Sequence, residues 1–146
     1  MKTRKDEWLK ALLIDARASI KEAMRVIDRN GYGVVFVTGQ SGVFVGSLSD
    51  GDIRKAILSG RSVNEAAEAI MNKEPVVIDA DWNALKVERF LKSEKLAKKF
   101  RKNFVVPVRD GGGKVVDAFS VFRGEHQSLG DSQKIFSPRK LEHVLV

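Results

Sequence analysis

Three short runs in the first half of the sequence return, in the same order, in the second half. Leu13-Ile14-Asp15-Ala16 matches Val77-Ile78-Asp79-Ala80. Gly33-Val34-Val35-Phe36-Val37 matches Phe104-Val105-Val106-Pro107-Val108, and Gly42-Val43-Phe44-Val45 matches Gly113-Lys114-Val115-Val116. Ser49 then falls on Ser120. A unit that recurs must fold the same way twice, and stacked copies bury what one copy leaves exposed. The offset grows after the first match, so the second copy carries an insertion, which we place in the basic stretch around Lys98 to Lys102.

The elements follow from periodicity and stop signals. Leu12 to Asp15 reads as a strand. Ser19 opens a helix with Ile20, Ala23, Met24 and Ile27 on one face. Asn30-Gly31 ends it, since glycine takes the left-handed cap cheaply. Gly33–Val37 and Val43–Ser47 read as strands around a turn at Gly39–Gly42. Ser49 begins a second helix, with Ile53, Ala56 and Ile57 on one face and Gly60 beyond its end. Ser62 caps a linking helix carrying Val63, Ala66, Ala67 and Ile70. The order then recurs: a strand over Pro75–Asp79, a helix from Asn83 or Ala84 to about Arg101, and strands over Phe104–Val108 and Lys114–Phe119 joined by a turn at Asp110–Gly113. The predicted fold is α/β, tandem β-α-β-β-α repeats with pseudo-two-fold symmetry. We place the first repeat at residues 9–61, the linking helix at 62–74, and the second repeat, without a closing helix, at 75–124. Residues 125–146 read as a polar linker or tail. The closing Val144-Leu145-Val146 is expected to begin a further domain, and the chain to be part of a longer enzyme.

Composition removes several chemistries. There is no cysteine, hence no disulfide, thiolate metal site or cysteine nucleophile. No apolar run approaches the ~20 residues of a membrane span, and the charged start is not a signal peptide; a cytoplasmic location is expected. The histidines are His126 and His143, both in the tail, so no metal ligand set and no nucleophile–base pair is evident. The isolated chain is therefore expected to be non-catalytic. Net charge is +7, and residues 86–102, with eight basic residues against two acidic ones, carry +6 of it. One basic helix is ordinarily a solvated face; as a nucleic-acid interface it would bind with steep salt dependence.

The chemistry concentrates in Gly46-Ser47-Leu48-Ser49-Asp50-Gly51-Asp52-Ile53-Arg54, where a strand hands over to a helix. Gly46 would admit a ligand close to the backbone. Ser49 can donate a hydroxyl, Asp52 can accept from both hydroxyls of a ribose, and Arg54 can pair with phosphate. Ser49 and Asp52 also fit a plain helix-capping pair, and both readings stand at this point.

Two units of this order, the first closing on Gly46-x-x-Ser49-x-x-Asp52, resemble a pair of CBS domains (cystathionine-β-synthase type). The residues that carry the resemblance are Ser49-Asp50-Gly51-Asp52-Ile53-Arg54, followed by Ile70-Met71-Asn72 and Pro75. It extends from about Leu9 to Arg123, and it is greatest to pairs attached to sugar-nucleotide and sugar-phosphate enzymes. The resemblance implies a regulatory module that binds an adenine nucleotide (AMP, ADP or ATP, less readily S-adenosylmethionine or NAD) and controls an attached or partner enzyme, commonly as a homodimer. It implies that Asp52 holds the ribose with Ser49 beside the phosphate and ribose, and Ser47 is counted among the ligand-binding residues. Val76, Val77, Asn103, Phe104, Val105 and Pro107 would form the adenine wall; Val76, Val77 and Val105 equally fit plain core valines, and Pro107 an edge strand. In the second repeat Asp117 stands for the motif's glycine and Arg123 for its aspartate. A guanidinium cannot accept from hydroxyls, so one nucleotide site is expected, with Arg123 either facing its phosphate or simply exposed. The alternatives are a ligand-free dimerisation module and a nucleic-acid binder using residues 86–102.

Overall fold

The computed structural model describes residues 3–99, 104–122 and 134–136. The first unit contains β1 (Leu13–Asp15), α2 (Ile20–Asn30), β2 (Val34–Thr38), β3 (Phe44–Ser49) and α3 (Asp50–Leu58), preceded by α1 (Arg4–Lys10). The second contains β4 (Ile78–Asp79), α4 (Ala84–Leu91), α5 (Glu94–Lys99), β5 (Phe104–Arg109) and β6 (Val115–Phe122), followed by β7 (Lys134–Phe136).

The repeat holds down to strand register. In each unit the first strand lies parallel to the second, and the second antiparallel to the third. Ile14 pairs with Val37 as Ile78 pairs with Val108, and Val34 pairs with Ser49 as Val105 pairs with Ser120. Even the irregularity recurs, at Val37/Thr38 and at Val108/Arg109.

Strand alternation sorts the side chains between two layers. Val35 and Val37 join Ile20, Ala23, Ile27 and Ile53 under the helices, and Phe36 faces the opposite way. Likewise Val106 and Val108 pack with Leu91 and Leu96, and Val105 faces back. Phe36, Phe44, Val105 and Ala118, with Leu9 and Leu12, form the layer between the sheets. The sheets also join edge to edge, where the Phe44 N–H donates to the Gly113 carbonyl at 2.9 Å.

Several sequence expectations need correction. The linking helix is absent: residues 62–74 contain one 3-10 turn, Ala67–Ala69. Glu65 accepts from the Ser62 N–H (2.8 Å) and the Arg61 guanidinium (2.6 Å), which hold its carboxyl below the usual carboxylate range. Backbone that a helix would use internally bonds across to α2 instead, the Ile20 N–H to the Glu65 carbonyl and the Lys21 N–H to that of Val63. The long second helix is two, α4 and α5, parted at Lys92-Ser93. Met24 and Ile57, members of the apolar helix faces read from the sequence, are 40% and 43% exposed. Lys134–Phe136, read as tail, pairs antiparallel with β6 as a fourth strand. Residues 100–102 of the proposed insertion, the closing helix and Lys140–Val146 lie outside the described residues.

The charged α1 escaped the sequence reading because its apolar content is two residues, Trp8 and Leu9. Thr3 and Asp6 cap it reciprocally, and it lies against β6 of the other unit.

Candidate functional site

A cleft of about 390 Å³ is lined by residues of both units. From the first unit come Tyr32, Gly33, Val34, Phe36, Ser47, Ser49 and Asp52. Asn72 and Pro75 of the connecting segment, with Val76, Lys99, Phe104, Val105 and Pro107, form the rest. One wall thus carries a carboxylate and three hydroxyls, those of Tyr32, Ser47 and Ser49, and the other is mainly apolar.

Ser49 and Asp52 sit here because β3 hands over to α3 at this edge. The Ser49 hydroxyl accepts from the Asp52 N–H (3.1 Å), and Asp52 Oδ2 accepts from the Ser49 N–H (3.0 Å). The capping pair is therefore real, and it does not use up Asp52. Its Oδ1 accepts from no described residue, and a carboxylate carries about four acceptor positions. The cap fixes the carboxylate's position at the wall and leaves it acceptor capacity.

The proline in β5 has a consequence at the opposite wall. In the first unit the Phe36 N–H donates to the Leu12 carbonyl at 2.7 Å. Pro107 occupies the position of Phe36 in the second unit and has no N–H to give. Val76 occupies the position of Leu12, and its carbonyl receives no such bond. Val76 and Pro107 both line the cleft, so the missing rung leaves a backbone acceptor at a mainly apolar wall. Pro107 is fully buried in a central strand, so the edge-strand reading does not hold.

Of the residues expected at the site, the cleft brings together Ser47, Ser49, Asp52, Val76, Phe104, Val105 and Pro107. Gly46 is buried beside it for a different reason. A Cβ there would lie 2.7 Å from the Asn72 carbonyl oxygen and 2.8 Å from Met71 Sδ, so the close neighbour is the protein's own backbone. Arg54 is exposed on α3 and lines a separate groove against α2. Val77 packs in the layer between the sheets and lines a shallow cavity with Phe44 and Arg109. Asn103 and Arg123 lie outside the described residues. The repeat itself could have found Gly33 and Val34, the counterparts of Phe104 and Val105. Nothing in local pattern pointed to Tyr32 or Lys99.

The basic stretch is not one uniform face. Lys86 lies 4.3 Å over the Trp82 ring, Lys92 pairs with Glu88 at 2.7 Å, and Lys99 is at the cleft. The Lys92 ammonium holds the Glu88 carboxyl below its usual range. Among the described residues no group of three His, Cys, Asp or Glu side chains could hold a metal ion. No described helix is long and apolar enough to cross a membrane.

A family model for the CBS domain matches residues 10–59. The match covers 50 of the chain's 146 residues, and over them the chain resembles a CBS domain. The architecture is the CBS-pair fold of its structural neighbours. One of these is a CBS domain protein from Pyrobaculum aerophilum complexed with AMP, 23% identical, with 78% of this chain and 84% of that one covered and a TM-score of 0.57. Another is the cytosolic domain of the Mg2+ channel MgtE in complex with ATP, 21% identical, with 73% and 40% covered and a TM-score of 0.56. In sequence the chain is similar to arabinose 5-phosphate isomerase GutQ of Salmonella typhimurium, 25% identical over 103 residues. That match covers 70% of this chain, which spans 30% of the isomerase's length.

Proposed function

We propose that this CBS pair is a regulatory module that binds an adenine nucleotide (AMP, ADP or ATP) between its repeats and controls an attached or partner enzyme. The observation that carries this reading is the cleft's two-sided chemistry. Asp52 offers acceptors for ribose hydroxyls, with Ser47 and Ser49 beside it. Phe104, Val105 and Pro107 offer an apolar slot for a base, and the Val76 carbonyl an acceptor for its exocyclic amine. The volume, about 390 Å³, falls within the ~300–1,000 Å³ usual for small-ligand sites. The AMP and ATP complexes of the neighbouring CBS proteins support the same ligand class. Regulation, rather than turnover, fits a cleft whose polar groups bind and do not activate a nucleophile.

Thermal unfolding with AMP, ADP, ATP, S-adenosylmethionine and NAD tests this. A bound ligand at a hundredfold excess over Kd adds about 2.7 kcal/mol, which at roughly 2–4 °C per kcal/mol raises the Tm by about 5–11 °C. Asp52→Asn keeps an oxygen to accept from the Ser49 N–H but loses the charge and one acceptor. The ligand-induced shift, measured from that variant's own baseline, is expected to collapse. No shift with any adenine ligand would leave the dimerisation module as the better account.

The homodimer belongs to the same proposal. Leu58 is 81% exposed and, with Met24 and Ile57, lines an open groove of about 980 Å³ between α2 and α3. Contiguous exposed apolar surface of this kind marks association sites. Leu58→Glu is expected to shift the protein from dimer to monomer in sedimentation velocity; an unchanged dimer would place the interface elsewhere.

A further inference from the structure

The cleft has three aromatic side chains in its lining, and they are not equivalent. Phe36 is 1% exposed and Phe104 6%, both committed to packing, whereas Tyr32 is only half-buried. Tyr32 follows the left-handed cap Gly31 at the end of α2. Its backbone is held there: its N–H donates to Asn30 Oδ1 at 2.7 Å, and Asn30 Nδ2 donates to the carbonyls of Ala11 and Val34.

The phenol is held as well. Trp8 Nε1 donates to Tyr32 Oη at 2.8 Å, and the two rings meet edge to face, 5.8 Å apart at 88°. An indole N–H can only donate, so the phenol oxygen is the acceptor in this bond. Its own proton remains, and no described residue accepts it. Donation into one side of a hydroxyl strengthens it as a donor on the other.

Resting on the nucleotide reading above, we propose that Tyr32 is a ligand-binding residue of the cleft: its ring packs on the bound nucleoside and its hydroxyl, fixed by Trp8, donates a hydrogen bond to the nucleotide. The resemblance to the family did not point to this residue. It lies outside the Ser49–Asp52 motif and has no aromatic counterpart in the second repeat, where Asn103 stands in its place. The arrangement also ties the ligand to α1, the helix that lies against β6 of the other unit. Occupancy of the cleft is thereby felt at Trp8.

The test is calorimetric titration of the full chain with AMP. Tyr32→Phe keeps the ring and deletes the donor, and is expected to weaken AMP about two- to tenfold, the range of one lost hydrogen bond. Trp8→Phe, which leaves the phenol but removes its orienting partner, is expected to lose less. A readout that mere packing would not move comes from Trp8 itself. In Trp82→Phe protein, where Trp8 is the remaining tryptophan, its emission is expected to change saturably with AMP, and to stop responding when Tyr32→Phe is added. Equal AMP affinity in wild type and Tyr32→Phe, with both folded by circular dichroism, overturns the proposal and leaves the nucleotide reading intact. Absence of AMP and ATP binding in the wild type overturns both.

Discussion

Gly46→Ala is expected to lower the melting temperature by roughly 2–12 °C, corresponding to an overpacking cost of about 1–3 kcal/mol in a chain of this size. The physical cause is local and specific. The added Cβ would stand 2.7 Å from the Asn72 carbonyl oxygen, and a backbone atom cannot swing aside as the end of a flexible side chain can. For Asn72 to retreat, the paired bonds between Ser47 and Asn72, at 3.0 and 2.8 Å, must lengthen or break. Ser47 and Asn72 both line the cleft, and Pro75 and Val76 follow directly on the same segment. Stability and nucleotide affinity are therefore expected to fall together, although Gly46 does not line the cleft. Gly51→Ala is the internal comparison. It sits in the first turn of α3, and its added Cβ meets nothing closer than Ser49 Oγ at 3.7 Å. Helix propensity there favours alanine by up to about 1 kcal/mol, so Gly51→Ala is expected to be neutral or stabilising. Differential scanning calorimetry of both variants checks the pair. Equal behaviour would mean that the connecting segment yields freely at Gly46.

The contrast between these glycines also shows where sequence reading stops. The repeat was legible because strand register depends on alternation, which is written in consecutive residues: Val35, Phe36 and Val37 against Val106, Pro107 and Val108. Helix starts were legible at Ser19 and Ser49, whose hydroxyls do cap. The cleft wall at Ser47, Ser49 and Asp52 could be named because it sits in one continuous motif. What could not be read depends on neighbours remote in sequence. Gly46 is required by Asn72, and Tyr32 reaches the cleft in company with Trp8. Helical spacing at Val63, Ala66, Ala67 and Ile70 was outweighed because this segment finds backbone partners across in α2. Pro107 misled in a different way. A proline usually belongs at a sheet edge, but here the first strand of the unit is only two residues long, and the proline stands just where that pairing ends.

Phe36→Ala carries the largest expected loss, about 3–5 kcal/mol for a fully buried phenylalanine, or a Tm lower by roughly 6–20 °C. Phe36 is 1% exposed and lies in the layer shared by both sheets, edge to face with Phe44 at 5.9 Å and 86°. That position makes the variant a test of how the repeats depend on each other. Each unit has its own helix-covered core, with Trp82 packed on Phe90 in the second. If those cores sufficed, removing Phe36 would melt the first unit early and leave Trp82 in place. The shared layer, the α1 helix lying on β6 and the Phe44–Gly113 bond between sheet edges argue for the opposite. Far-UV circular dichroism and Trp82 fluorescence, the latter in Trp8→Phe protein, are expected to report one coincident transition, displaced equally in Phe36→Ala. Coincidence of probes is the signature of an all-or-none unit. Two separated midpoints would show that the repeats are stable singly. A ligand held between them would then be joining two independent bodies, and would not be stabilising a cleft that the fold had already built.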